Sequence, residues 1–187
     1  MWWTMSVAPK PGPPLAAPKV VEATVHSFDT QVGERLNVTL EDGSQLHLDT
    51  GTTVQVQYTA ETRRLTLMRG QAMFDVAKAP ARPFIVAVAG RTVTALGTQF
   101  SIRYDDKSMA VALVEGVVKV AKPGDDPAHD VTMRPNDRLV ADGQRVSLRH
   151  YDDLRRFISW TRGVIQFDNV TLSDAVRELN RYTATPL

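Results

Sequence analysis

The sequence predicts a mainly β protein followed by a short α/β tail. Three observations carry that expectation. Between Lys19 and His150 apolar residues recur at every second position rather than every 3.6. Turn-forming pairs interrupt the chain at short intervals. After His150 the period becomes helical. Alternation of this kind puts one set of side chains inside and the other in water.

The elements follow in order. Residues 8–18 hold five of the eleven prolines and read as an extended spacer, since each proline fixes φ and lacks an N–H. Leu36, Val38 and Leu40 alternate with polar residues, and so do Leu46 and Leu48 after them. Asp42-Gly43 between those two runs is the strongest hairpin signal in the chain. Further runs centre on Val54–Tyr58, Leu65–Leu67, Phe84–Val88, Phe100–Tyr104, Val111–Leu113, Val118–Val120, Val131–Met133 and Val146–Leu148. Arg69-Gly70, Ala89-Gly90, Asp105-Asp106, Glu115-Gly116, Pro123-Gly124 and Asp142-Gly143 separate them. Short antiparallel strands at this spacing imply a sandwich, a roll or a solenoid-like stack.

Past His150, Tyr151–Trp160 reads as a short helix with Leu154, Phe157 and Ile158 on one side, and Gly163–Asp168 as a strand. Thr171 then caps a second helix, with Asp174 three residues later. Leu172, Ala175, Val176, Leu179 and Tyr182 follow at helical spacing. Arg177, Glu178 and Arg181 are expected to face water, and Thr185-Pro186 ends the helix. The expected organisation is therefore a linker at 1–18, a β domain at 19–150 and a βαβ-like tail at 151–187.

Composition excludes several function classes. A net charge of +1, with basic runs no longer than pairs, argues against nucleic-acid binding. Zero cysteines exclude disulfides and thiolate metal sites. The four histidines, His26, His47, His129 and His150, have no metal-ligand spacing, so no metal and no cofactor is expected. The chain has no nucleophile elbow and no phosphate loop. Asp105-Asp106 and Asp125-Asp126 sit at expected turns and read as turn formers. No apolar run is long enough to span a bilayer. Trp2-Trp3 reads as the interfacial end of a membrane helix outside this chain, or as chance aromatics.

Four strings in fixed order carry a resemblance: Gly70-Gln71-Ala72-Met73-Phe74-Asp75-Val76, Arg82-Pro83-Phe84-Ile85-Val86, Ala95-Leu96-Gly97-Thr98-Gln99-Phe100 and Val114-Glu115-Gly116-Val117-Val118. The chain resembles the periplasmic domain of FecR-type anti-sigma factors. Trp160–Phe167, Thr171–Val176 and Glu178–Tyr182 look like the first half of a secretin/TonB short N-terminal (STN) module, in which FecR-type proteins end. The resemblance implies a periplasmic location, tethered to the inner membrane by a transmembrane helix outside this chain. It implies as partner the periplasmic signalling domain of a TonB-dependent outer-membrane receptor for iron-siderophore uptake. It further implies periplasmic and intramembrane proteases, and an extracytoplasmic-function sigma factor bound by a cytoplasmic domain absent here. The rival expectation is a β-sandwich that binds a carbohydrate or cell-wall ligand.

Two candidate sites follow. Phe167, Leu172, Val176 and Leu179 form an apolar set in the tail that reads as core or as partner contact. Gly97-Thr98 is the candidate for chemistry. On residue types alone it is a strand bend, with Gly for the turn and Thr for β propensity, and Gly51-Thr52 repeats the dipeptide. The resemblance adds that some FecR-type proteins cut themselves at the Gly-Thr of this string. That would make Gly97-Thr98 a single-turnover self-cleavage bond in a protein that is otherwise not an enzyme.

Overall fold

A computed structural model describes residues 25–105, 108–143 and 145–186. The Trp2-Trp3 and proline-rich expectations, and that for Asp106, lie outside them. Thirteen strands form one strongly curled sheet. They are β1 (Val25–Asp29), β2 (Leu36–Thr39), β3 (Gln45–Leu48), β4 (Thr53–Tyr58), β5 (Arg63–Asp75), β6 (Phe84–Val88), β7 (Arg91–Ala95), β8 (Gln99–Asp105), β9 (Ser108–Glu115), β10 (Val118–Ala121), β11 (Val131–Met133), β12 (Asp137–Asp142) and β13 (Arg145–His150). The main path runs β11-β10-β7-β6-β5-β8-β9-β12-β13, with β3 and β4 also pairing to β5. The mainly β expectation holds.

Strand β5 organises the sheet. Its first half pairs with β4 and β6, and its second half with β3 and β8. The bend between the halves is at Gly70, with φ of +89°. A Cβ there would lie 2.3 Å from the Thr52 hydroxyl oxygen, so only glycine lets the two backbones approach this closely. The pairing of β5 with β6 is parallel, the one departure from an antiparallel stack among the described residues. The second half of β5 serves as the crossover such a pair needs.

Inward side chains from both halves of the curl meet in one core. Leu65, Leu67, Phe84, Val86 and Val93 come from one half, and Leu46, Phe74, Phe100, Ile102 and Leu113 from the other. Phe74 joins them, stacked on Phe100 at 5.0 Å and edge-on to Phe84 at 6.0 Å. Each such side chain contributes roughly 1.5–3 kcal/mol by leaving water. The hairpins form where their turn residues predict. Asp42-Gly43 closes β2–β3, and Ala89-Gly90 closes β6–β7 with both residues at positive φ.

One charge sits inside this apolar layer. Arg63 occupies an inward position of β5 and is fully buried. Its Nη1 donates to Asp42 at 2.6 Å and to the Ala77 carbonyl at 2.9 Å, and its Nε donates to the Arg82 carbonyl at 2.9 Å. Asp42 also accepts from Ser44 and Tyr58. Burial pushes the Asp42 carboxyl up, but the Ser44 and Arg63 hydrogen bonds outweigh it and hold it below its ordinary range. The network pins the 76–83 connection back onto the sheet.

The tail differs from its expected form. Helix α1 spans only Arg155–Ile158 and continues as a 3₁₀ turn to Arg162. Gly163–Asp168 does not form the expected strand. A strand needs a hydrogen-bonded neighbour, and none runs beside this segment among the described residues. Helix α2 (Leu172–Leu179) starts as expected, with Thr171 Oγ1 accepting from the Asp174 amide at 3.1 Å.

The tail is anchored by polar contacts. Glu178 and Arg181, expected in water, face the β domain instead. Glu178 pairs with Arg103 of β8 at 2.6 Å. Arg181 donates to Gln71 at 3.2 Å and lies 3.5 Å from Asp49. The Tyr182 hydroxyl donates to Asp49 at 2.7 Å, and the Thr50 hydroxyl to the Arg181 carbonyl at 2.9 Å. Asp49 is fully buried, and its Oδ1 has no hydrogen-bond partner. Burial raises its pKa, and the Tyr182 and Arg181 contacts only partly offset that.

A carboxyl whose folded pKa lies above its unfolded value holds its proton more tightly when folded. Its contribution to stability therefore grows as pH falls through the folded pKa, and is absent above it. Asp49→Asn should remove this contribution. Thermal unfolding followed between about pH 4 and pH 7 should show the wild type gaining stability relative to Asp49→Asn as pH drops. A difference between the two that does not change with pH would contradict a raised Asp49 pKa.

Candidate functional site

The Gly97-Thr98 peptide joins β7 to β8. Three neighbours pinch it. Gly97 has φ of +141°, a conformation open in practice only to glycine. The space where its side chain would be is filled by Lys78, whose Cγ and Cα lie 2.5 and 3.1 Å from a Cβ built there. On the other side Gly116 fits only because it too lacks a side chain. Its Cβ would meet Thr98 Cγ2 at 2.6 Å and the Gly97 carbonyl oxygen at 3.1 Å. The Thr98 carbonyl accepts from the Val76 amide at 3.0 Å, which fixes the register of the bond against the end of β5.

The buried Arg63 network is part of this arrangement. It holds the Ala77 carbonyl from one side, while the Ser44 hydroxyl accepts from the Ala77 amide at 3.0 Å. Lys78 is the next residue, so the clamp sets how the connection presses on Gly97.

The two Gly-Thr dipeptides are not equivalent. Thr52 Oγ1 donates to backbone carbonyls and accepts from the Gln71 amide at 2.9 Å, so its oxygen is fully engaged. Thr98 is 5% exposed and its Oγ1 has no hydrogen-bond partner among the described residues. A buried hydroxyl without a hydrogen bond costs roughly 1–3 kcal/mol. Its oxygen is free of any hydrogen bond that would restrain it. No carboxylate or imidazole hydrogen-bonds to it among the described residues. Sequence alone could not separate the two threonines, because the difference lies in Gln71, brought to Thr52 by the bend of β5.

The second candidate set is divided by the structure. Leu172 is 80% exposed, Phe167 42% and Leu179 36%, while Val176 is half-buried. No residue of α2 is buried. The helix is docked through Glu178, with Arg181 and Tyr182 just beyond it; Ala175 and Val176 are half-buried, and Leu172 and Leu179 are left exposed. Below it, a cleft of about 470 Å³ separates the tail from β8, β9 and β12, lined by Ser101, Ala110, Ala112, Phe157, Trp160 and Phe167 among others.

Among the described residues no group of three or more His, Asp or Glu side chains is placed to hold a metal ion. Of the histidines, His150 Nδ1 lies 2.8 Å from Asp137 and His47 Nδ1 lies 2.7 Å from Asn37. Among those residues no helix is long and apolar enough to cross a membrane.

Comparison with known proteins places these features. Two crystal structures of a proposed anti-sigma factor from Parabacteroides distasonis ATCC 8503, at 1.65 and 2.50 Å resolution, superpose on the chain. The TM-scores are 0.73 and 0.74, with 26% and 25% sequence identity. The matches cover 84% and 85% of this chain and 74% and 75% of those chains. Among curated proteins no sequence matches. The FecR protein family matches residues 26–119, from β1 to β10 and including both Gly-Thr bonds. On that match, which spans half of its length, the chain belongs to the FecR family.

Proposed function

We propose that this chain is the periplasmic part of a FecR-type anti-sigma factor. It takes a signal from the periplasmic domain of a TonB-dependent outer-membrane transducer of iron-siderophore uptake. Regulated proteolysis then relays that signal to an extracytoplasmic-function sigma factor. The observation that carries the reading is the helix α2 docked by its polar side. Glu178, Arg181 and Tyr182 fix it to the β domain, and Leu172 and Leu179 are left facing outward. The tail is read as the opening of an STN module, whose Val164–Phe167 stretch and exposed Leu172 and Leu179 meet the transducer. The proposed anti-sigma assignment of the two similar structures supports the same reading.

Calorimetric titration with the transducer's periplasmic domain tests it. Leu172→Glu should weaken binding by about tenfold or more, as loss of a central apolar contact does. The unfolding temperature of the β domain should stay unchanged, because Leu172 is exposed. Wild-type affinity in that variant would overturn the assignment of this face.

Self-cleavage at Gly97-Thr98 belongs to the same reading. Thr98 Oγ1 attacks the Gly97 carbonyl carbon, the Gly97–Thr98 C–N bond breaks, and the hydroxyl proton passes to the Thr98 nitrogen. Water then hydrolyses the resulting ester, leaving a Gly97 carboxylate and a Thr98 amine. The pinched glycine and the unpartnered hydroxyl support this step. Intact-mass spectrometry in denaturant should show two fragments for wild type and Thr98→Ser, and one full-length chain for Thr98→Ala. A single full-length wild-type species after prolonged incubation would leave Gly97 as a bend only.

A further inference from the structure

Among the described residues strand β13 ends the main path of the sheet, beside β12, which walls the cleft under the tail. Among the described residues it pairs with β12 alone, and all six of its residues are exposed. Its outer edge presents backbone N–H and C=O groups that no other strand covers.

The two faces of β13 differ in kind. Val146 and Leu148 stand opposite Ala141 and Leu139, both core residues, yet are themselves 42% and 44% exposed. The apolar layer thus runs one strand beyond its cover. On the other face Arg145 and Arg149 are four residues apart. Arg149 lies directly opposite Arg138, which places like charges across β12 and β13, while Arg145 lies opposite Asp142 with no ion pair formed between them. Like charges in that position destabilise a sheet. Arg138 cannot move away easily, since its guanidinium stacks over the Phe157 ring at 4.5 Å. Neither Arg145 nor Arg149 has a hydrogen-bond or ion-pair partner among the described residues.

We propose that β13 binds an extended strand of a protein partner, of the pattern acidic, apolar, any, apolar, acidic. The added strand pairs its backbone with the open edge. Its apolar residues extend the layer of Val146 and Leu148, and its acids neutralise Arg145 and Arg149. Two of the antiparallel registers open to a second copy of this chain are unfavourable. Symmetric antiparallel pairing about Ser147 sets Arg145 of each copy against Arg149 of the other. A shift of one residue sets Val146 against Arg149. The arginines therefore disfavour those two registers and basic strands, while leaving the edge open to an acidic one.

The test uses the full chain and two labelled peptides, with cores Glu-Val-Thr-Val-Glu and Lys-Val-Thr-Val-Lys, titrated by fluorescence anisotropy. The acidic peptide should bind about tenfold tighter or better, from two cross-strand charge pairs changed from repulsive to attractive. The double variant Arg145→Glu, Arg149→Glu should reverse the preference, which a merely misfolded variant cannot do. Amide hydrogen exchange should show new protection in 145–150 with the acidic peptide. Equal affinity for the two peptides would overturn the proposal, as would a preference that survives charge reversal, or protection confined to α2. So would protection of β13 that rises with protein concentration when no peptide is present, which would give the edge to a second copy.

Discussion

Strand β5 belongs to both halves of the curled sheet, and it can do so only because Gly70 lies against Thr52. A side chain at that point would overlap the Thr52 hydroxyl and Cα. From the bend, one arm carries Leu65 and Leu67 toward β4 and β6. The other carries Ala72 and Phe74 toward β3 and β8. The Thr52 hydroxyl bonds the Gln71 backbone beside the bend and is satisfied by it. Every strand of the main path reaches the core through this element, and so does the 76–83 connection that returns from it to β6.

Two buried charges build on that frame in different ways. Arg63 is paired through Nη1 and Nε, with its Nη2 left without a hydrogen-bond partner among the described residues, and it fixes the connection that presses Lys78 onto Gly97. Asp49 is buried with one oxygen left unpartnered, and it holds the tail through Tyr182 and Arg181. Breaking a buried pair by removing one partner typically costs about 3–5 kcal/mol, so both sites are costly to alter. The polar anchor of the tail leaves Leu172 and Leu179 outside.

Much of the fold was legible in the sequence, because alternation and turn chemistry are local properties. The Asp42-Gly43 and Ala89-Gly90 hairpins formed as their residues require. Arg63 carried a readable signal too. It lies two residues before Leu65 in a period-two run, so it had to point inward with them. The tail was less legible. Amphipathic spacing shows that α2 has two faces, but not which one docks. Here Asp49, Arg103 and Gln71 select the polar face, and they come from distant parts of the chain. The Gly163–Asp168 stretch has strand-like residues, yet a strand exists only with a neighbour. Thr98 and Thr52 sit in the same dipeptide, and only tertiary contacts leave one hydroxyl unpartnered.

The dependence of the whole sheet on the Gly70 bend is open to one direct comparison. Gly70 and Gly43 have nearly equal φ, +89° and +81°, but nothing lies within 4 Å of a Cβ at Gly43. Equilibrium denaturation of Gly43→Ala should show a loss of roughly 1–2 kcal/mol, the cost of left-handed backbone alone. Gly70→Ala should lose that amount and roughly 1–3 kcal/mol more from the overlap with Thr52. Equal losses in the two variants would contradict the claim that this close approach holds the two halves together.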